Sequence, residues 1–180
     1  MAEEKKERWT TYLAISTVII VVCATLSTFK GGGYSTRSLM NQTSASDQWA
    51  FFQSKSLKSL IFEMQKENLQ LQLELAAKSN SAKDVLAEYS YKLESCTKKI
   101  HQYDLEKEEI TKIAKKFEAD RDECKLHGSA FGIAVIFLQI SILLSSISAL
   151  TKKKIVWFLS ILVGVVGIFY FMDGFFLFIK

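Results

Sequence analysis

Proline is absent from this chain, and glycine is scarce outside one run, Gly31, Gly32 and Gly33. Proline would break a helix by removing a donor and clashing with the preceding turn, so its absence favours long uninterrupted helices. The three cysteines form no CxxC and no CxxCH, which argues against a zinc ribbon, a thioredoxin motif or covalent haem. His127 and Cys124 lie one turn apart, but two ligands on one arm do not make a metal site. No phosphate-loop lysine follows the glycines and no strand precedes them. The middle of the chain nearly balances acids and bases, so no basic face offers itself to nucleic acid. Neither a cofactor nor catalytic chemistry is expected, and the chain reads as a non-enzyme.

What is present is segregated. The chain is 49% hydrophobic and 23% charged, with a net charge of +4. The apolar residues collect at both ends and the charges in the middle. After a charged tail (1–8), residues 9–29 carry no charge and are long enough to span a bilayer core. The length of this run favours an uncleaved anchor over a signal peptide. Residues 128–151 and 155–179 read as a second and a third span, joined only by the basic loop of Lys152, Lys153 and Lys154. Ser141, Ser145 and Ser148 form one small face, and Ser160, Gly164 and Gly167 another; small faces let helices approach closely in lipid. Asp173 is the one charge within a span and is expected near interfacial water. Gln139 is expected to bond across helices.

Between the first two spans the pattern changes to heptads. Residues 30–43 are expected to be a flexible, solvated linker. A helix then starts near Ser44 to Asp47, and Leu57, Ile61, Met64, Asn68, Leu71 and Leu75 alternate steps of four and three. Residues 79–81 are expected to turn. From Leu86 a second seam runs through Tyr89, Leu93, Cys96, Ile100, Tyr103, Lys107, Ile110, Ala114, Phe117, Arg121 and Cys124 without a slip. Paired outward from the turn, the seams meet as Leu71 with Tyr89, Met64 with Cys96, Ile61 with Ile100 and Leu57 with Tyr103. The fold class expected is all-α: three transmembrane helices and an antiparallel coiled-coil hairpin (44–127) whose second arm continues into the second span. The first arm, being shorter, need not reach the membrane.

Residues 49–55, Trp-Ala-Phe-Phe-Gln-Ser-Lys, resemble the hallmark of a family of bacterial membrane proteins, domain of unknown function 4337. There the usual residue at Ser54 is alanine. Residues 137–146 and the loop at 152–154 also resemble that family, which usually has arginines in the loop. The resemblance implies a bacterial envelope protein and no particular activity.

The expected partners are the lipid bilayer and either a second copy or a larger membrane complex, with Trp49, Phe51, Phe52, Asn68 and Cys124 as candidate contacts. Asn68 is a polar residue in an apolar seam, where it either selects register or partner or is a boundary residue facing water. Cys124 lies below the expected reach of the first arm, so its seam is expected to meet a neighbouring subunit. The leading functional expectation is a membrane protein that self-associates or scaffolds partners through its hairpin. The alternatives are an accessory subunit of a larger complex, or an oligomeric pore lined by the serine face of the second span.

Lysine and arginine in short loops stay in the cytoplasm. Lys152, Lys153 and Lys154 form one basic cluster, Lys5, Lys6 and Arg8 a weaker second, and three spans put both on one side. The expected location is the bacterial inner membrane, with the amino terminus inside and the hairpin in the periplasm. Reporter fusions at Asn80 test this: alkaline phosphatase is expected to be active there, and a fluorescent cytoplasmic reporter active instead would contradict it.

Overall fold

A computed structural model describes the backbone of residues 2–78 and 83–178, and the side chains from residue 9 onward within them. Three helices make up the described chain: α1 (Ala2–Lys78), α2 (Lys83–Thr151) and α3 (Lys154–Phe176). No strand occurs among the described residues. All three helices are long and apolar enough to cross a membrane, which marks a membrane protein of all-α class. The expected turn at 79–81 lies outside the described residues.

The expected linker is not a linker. Residues 30–43 lie within α1, and the helix start expected at Ser44 to Asp47 is interior to it. Three glycines cost a helix roughly 1 kcal/mol each relative to alanine, so something must favour them here. For Gly31 the reason is close packing: a Cβ there would stand 3.0 Å from the Cβ of Phe131 on α2. Gly32 and Gly33 face open space and have no such reason.

The chain divides into two compact units, Met1–Met40 with Asp120–Lys180, and Asn41–Ala119. In the first, α2 is packed by both other helices. Its serines meet α3 at one polar clasp. Ser141 Oγ donates to the Ser160 carbonyl at 2.7 Å, Ser160 Oγ donates to the Ser141 carbonyl at 2.8 Å, and the Ser145 and Ser160 hydroxyls lie 2.8 Å apart. Beyond it, Gly164 admits Ile20 of α1, Gly167 admits Leu138, and Gly174 admits the Phe131 ring; a Cβ at any of the three would fall within 3.0 Å of these side chains. Ile20, Ala24, Ala134 and Leu138 form the apolar core beside them. The two small faces read from the sequence therefore pack on each other. Ser141, Ser145 and Ser148 are buried within the chain. Hydroxyls on α1 return to its own backbone, as Thr17 and Ser27 do to the carbonyls of Leu13 and Cys23. In lipid that self-satisfaction is required, since no water is there to supply it.

Two further expectations change. Asp173 is buried, at 3% exposure, rather than set in interfacial water. Gln139 is exposed on α2 instead of reaching across to another helix of the chain. The link from α2 to α3 is as tight as its length implies. Lys152 takes a left-handed conformation at φ 55°, and Ser148 Oγ donates to the Lys153 carbonyl. Trp9 stands edge-on to Trp157 at 6.5 Å, and Trp157 Nε1 donates to Ser16 Oγ at 3.2 Å. The start of the first apolar run and the start of the third thus lie together.

The glycine contacts predict a contrast. Gly167→Ala should destabilise the detergent-solubilised protein by about 1–3 kcal/mol, the usual cost of overpacking. Gly132→Ala, which meets open space, should be neutral or stabilising by up to ~1 kcal/mol. Thermal unfolding of both variants against wild type is the measurement.

Candidate interaction surface

In the second unit, residue numbers on α2 fall as those on α1 rise. Trp49 Nε1 donates to Glu118 Oε1 at 2.8 Å, Lys55 Nζ meets Glu106 Oε2 at 2.6 Å, and Phe62 stacks on Tyr103 at 5.9 Å between centroids. The two helices therefore run in opposite directions here. On α2 the seam read from the sequence faces inward: every member from Leu86 to Arg121, and Cys124 beyond it, is buried or half-buried. Cys96, Ile110 and Ala114 are the most deeply covered of these α2 seam residues within this unit. Around the outside, Glu88 with Lys92, Glu94 with Lys98 and Glu108 with Lys112 pair at i and i+4, each glutamate amino-terminal, the favourable order for a helix. Each lysine, first by its hydrogen bond and then by its charge, holds its glutamate below the ordinary carboxylate value.

On α1 the inward face is not the one expected. Leu57, Ile61, Met64, Leu71 and Leu75 are 62%, 61%, 58%, 60% and 66% exposed. The expected pairs Leu57 with Tyr103, Ile61 with Ile100, Met64 with Cys96 and Leu71 with Tyr89 are thus not the contacts that cover α2. The face turned to α2 holds Ala45, Trp49, Phe52, Lys55, Ser59, Phe62, Lys66, Leu69, Leu73 and Ala76, all buried or half-buried. It is mixed in character, and it closes through specific contacts. The Lys55 ammonium lies 5.1 Å from the Phe51 ring and 5.5 Å from Tyr103, and Lys99 lies 4.7 Å from Phe62. Lysine stems cover rings while their charged heads reach carboxylates or water.

A physical signal for this face was present. From Trp9 the buried and half-buried positions of α1 step by three and four through Leu13, Ser16, Ile20, Cys23, Ser27, Gly31, Tyr34, Ser38, Asn41 and Ala45, and on to Ala76. The steps do not alternate strictly: two fours follow each other at Cys23, Ser27 and Gly31 and again at Asn41, Ala45 and Trp49, and two threes at Trp49, Phe52 and Lys55.

The candidate contact residues divide accordingly. Trp49 and Phe52 are half-buried and edge-on to each other at 5.6 Å, so they belong to the α1–α2 contact. Phe51 is 49% exposed. Asn68 is exposed, on the outward stripe with Leu71 and Met64. Cys124 lies in the first unit and is 6% exposed. The expectation that its seam lacks a partner within the chain fails because α1 continues past the supposed linker: Ser38 Oγ donates to the Arg121 carbonyl at 3.2 Å, and a Cβ on Gly128 would touch Ser35. All three cysteines are free thiols. Lys152, Lys153 and Lys154 are exposed at the α2–α3 turn. Among the described residues no three His, Cys, Asp or Glu side chains gather as metal ligands would.

The chain belongs to the family described as a domain of unknown function (DUF4337), whose model matches residues 9–177. No curated protein and no solved structure matches it.

The Lys55–Glu106 contact predicts a pH dependence. Hydrogen bonds first from Lys55 and then from Gln102 hold the Glu106 carboxyl below its ordinary value. A lowered value in the folded state contributes stability above the unfolded value, and that stability is lost as pH falls through the folded one. The melting temperature in detergent should fall between pH 7 and pH ~3, the carboxylate range, and should fall less in Glu106→Gln. Equal losses in both proteins would show the contact to be without effect.

Proposed function

We propose that this is a non-enzymatic membrane protein whose paired α1 and α2 helices form an antiparallel coiled-coil hairpin that associates with other proteins, either further copies of itself or a larger complex that it serves as accessory subunit. The observation that carries the reading is the outward face of α1 in the second unit. A row of aliphatic side chains there is more than half exposed although the same helix already has a covered face. Scattered exposed leucines need no explanation, but a periodic apolar row on a solvated helix marks an interaction site. The buried serines support a packing role for the second span.

The location proposed is the inner membrane of a bacterium, with the amino terminus and the lysine loop in the cytoplasm and the hairpin in the periplasm. The contact of Trp9 with Trp157 supports the common side of the two basic clusters, because each tryptophan follows one of them closely.

Native mass spectrometry of the protein released in mild detergent tests the association. A defined multiple of the chain, or a stoichiometric second protein, is expected, and Leu71→Glu should release it while leaving helicity intact. Wild type that is a lone monomer across the accessible concentration range would contradict the reading.

A further inference from the structure

The outward row on α1 has an internal order that a merely greasy face would lack. Leu57, Ile61, Met64, Asn68, Leu71 and Leu75 alternate steps of four and three. That assigns Ile61, Asn68 and Leu75 to a positions of a heptad and Leu57, Met64 and Leu71 to d. The residues facing α2, among them Ser59, Phe62, Lys66 and Leu69, fall at b and f. At 100° per residue the two faces are roughly 150° apart around the helix, so both can be occupied at once. We propose that the outward row is the seam of a parallel, in-register pairing between the α1 helices of two copies of this chain. The proposal rests on the association reading above and names its partner and geometry.

A second copy is favoured over another protein by self-complementarity. Copies inserted in one membrane share an orientation, so their α1 helices run the same way and each residue meets its own counterpart at one level. Ile61 at a, with Leu57 and Leu71 at d, matches the pattern that favours two strands. Asn68 then meets Asn68, and each amide oxygen can accept from the other amide nitrogen. A slip of one heptad would set Asn68 against Ile61 or Leu75 and bury that amide unpaired. The flanking positions present no like-charge pair in this register: Gln53 faces Lys58, Leu60 faces Gln65, and Glu67 faces Gln72. The size also fits. Leu60, half exposed, and the five aliphatic seam residues offer on the order of 700 Å² per copy, near the ~800 Å² each partner contributes to a standard interface.

The test is cysteine cross-linking of the full-length protein in membranes, with Cys23, Cys96 and Cys124 replaced by serine and with the assembly state measured in parallel in mild detergent. Single substitutions Ile61→Cys, Met64→Cys, Asn68→Cys and Leu71→Cys should each give a disulfide-linked dimer, and Phe62→Cys, Lys66→Cys and Leu69→Cys should give at least tenfold less. Asn68→Asp, which sets two carboxylates together at an a position, should weaken association at least tenfold at pH 7 and less below pH ~4. An oligomer without that periodicity, or one indifferent to Asn68→Asp, overturns this interface while the association reading stands. A monomer overturns both.

Discussion

Phe131 is the side chain around which the membrane unit closes. It is fully buried on α2, and it meets both other helices. On α1, Gly31 brings the backbone against its Cβ and Tyr34 stacks on its ring at 5.9 Å between centroids. On α3, Gly174 lies against the ring, and Phe171 and Phe175 stand edge-on to it at 6.1 and 5.0 Å. Two glycines on two different helices are fitted to one phenylalanine. His127, a turn before it, stacks on Tyr34 at 4.6 Å and places Nδ1 2.8 Å from the Gly174 carbonyl. The ring packs in a site that lipid cannot enter, and the polar groups beside it find partners in the chain. Packing of this kind, with small residues admitting large ones, is what holds helices together where the hydrophobic effect offers no difference between lipid and protein.

The fit around Phe131 also accounts for the glycine run. Glycine is usually read as a helix breaker, and by intrinsic propensity it is. A helix with neighbours on one side answers to a different requirement. Gly31 is half-buried on α1, and a Cβ there would stand 3.0 Å from that of Phe131. Its missing Cβ is what lets α1 lie on α2 there. The helical propensity lost at Gly31 is offset by close packing against Phe131, and the backbone hydrogen bonds stay within the helix.

The legibility of this chain in its sequence follows from that one residue. The all-α class, the three spans, the small faces of α2 and α3 and the inward seam of α2 were each carried by strong patterns: charge-free length, serine and glycine spacing, and more than five unbroken heptads. The α1 seam was not legible by hydrophobicity, because α1 carries two seams. The more apolar one, with Leu57, Ile61 and Leu71, faces out. The one that meets α2 contains Ser59, Lys55 and Lys66, and matches its partner through rings and the carboxylates of Glu106 and Glu118. The break expected at residues 30–43 also hid that α1 is one helix from Ala2 to Lys78. The same break left Cys124 seemingly uncovered. Asp173 was misplaced because a carboxylate near a helix end looks wet in sequence, whereas its burial is set by the packing of other helices, which spacing along one helix does not show.

Helicity and docking of α1 through the glycine run bring Gly31 and Tyr34 against Phe131. Hydrogen exchange of the full-length protein in lipid nanodiscs reads this directly at residues 30–43. Continuous helix packed on α2 predicts amides there that exchange slowly, at rates like those of the flanking residues 44–56, and Phe131→Ala should raise the exchange around Gly31 first. Rapid, unprotected exchange across 30–43 in the wild type would contradict the docked helix, and would return that segment to the role of a linker.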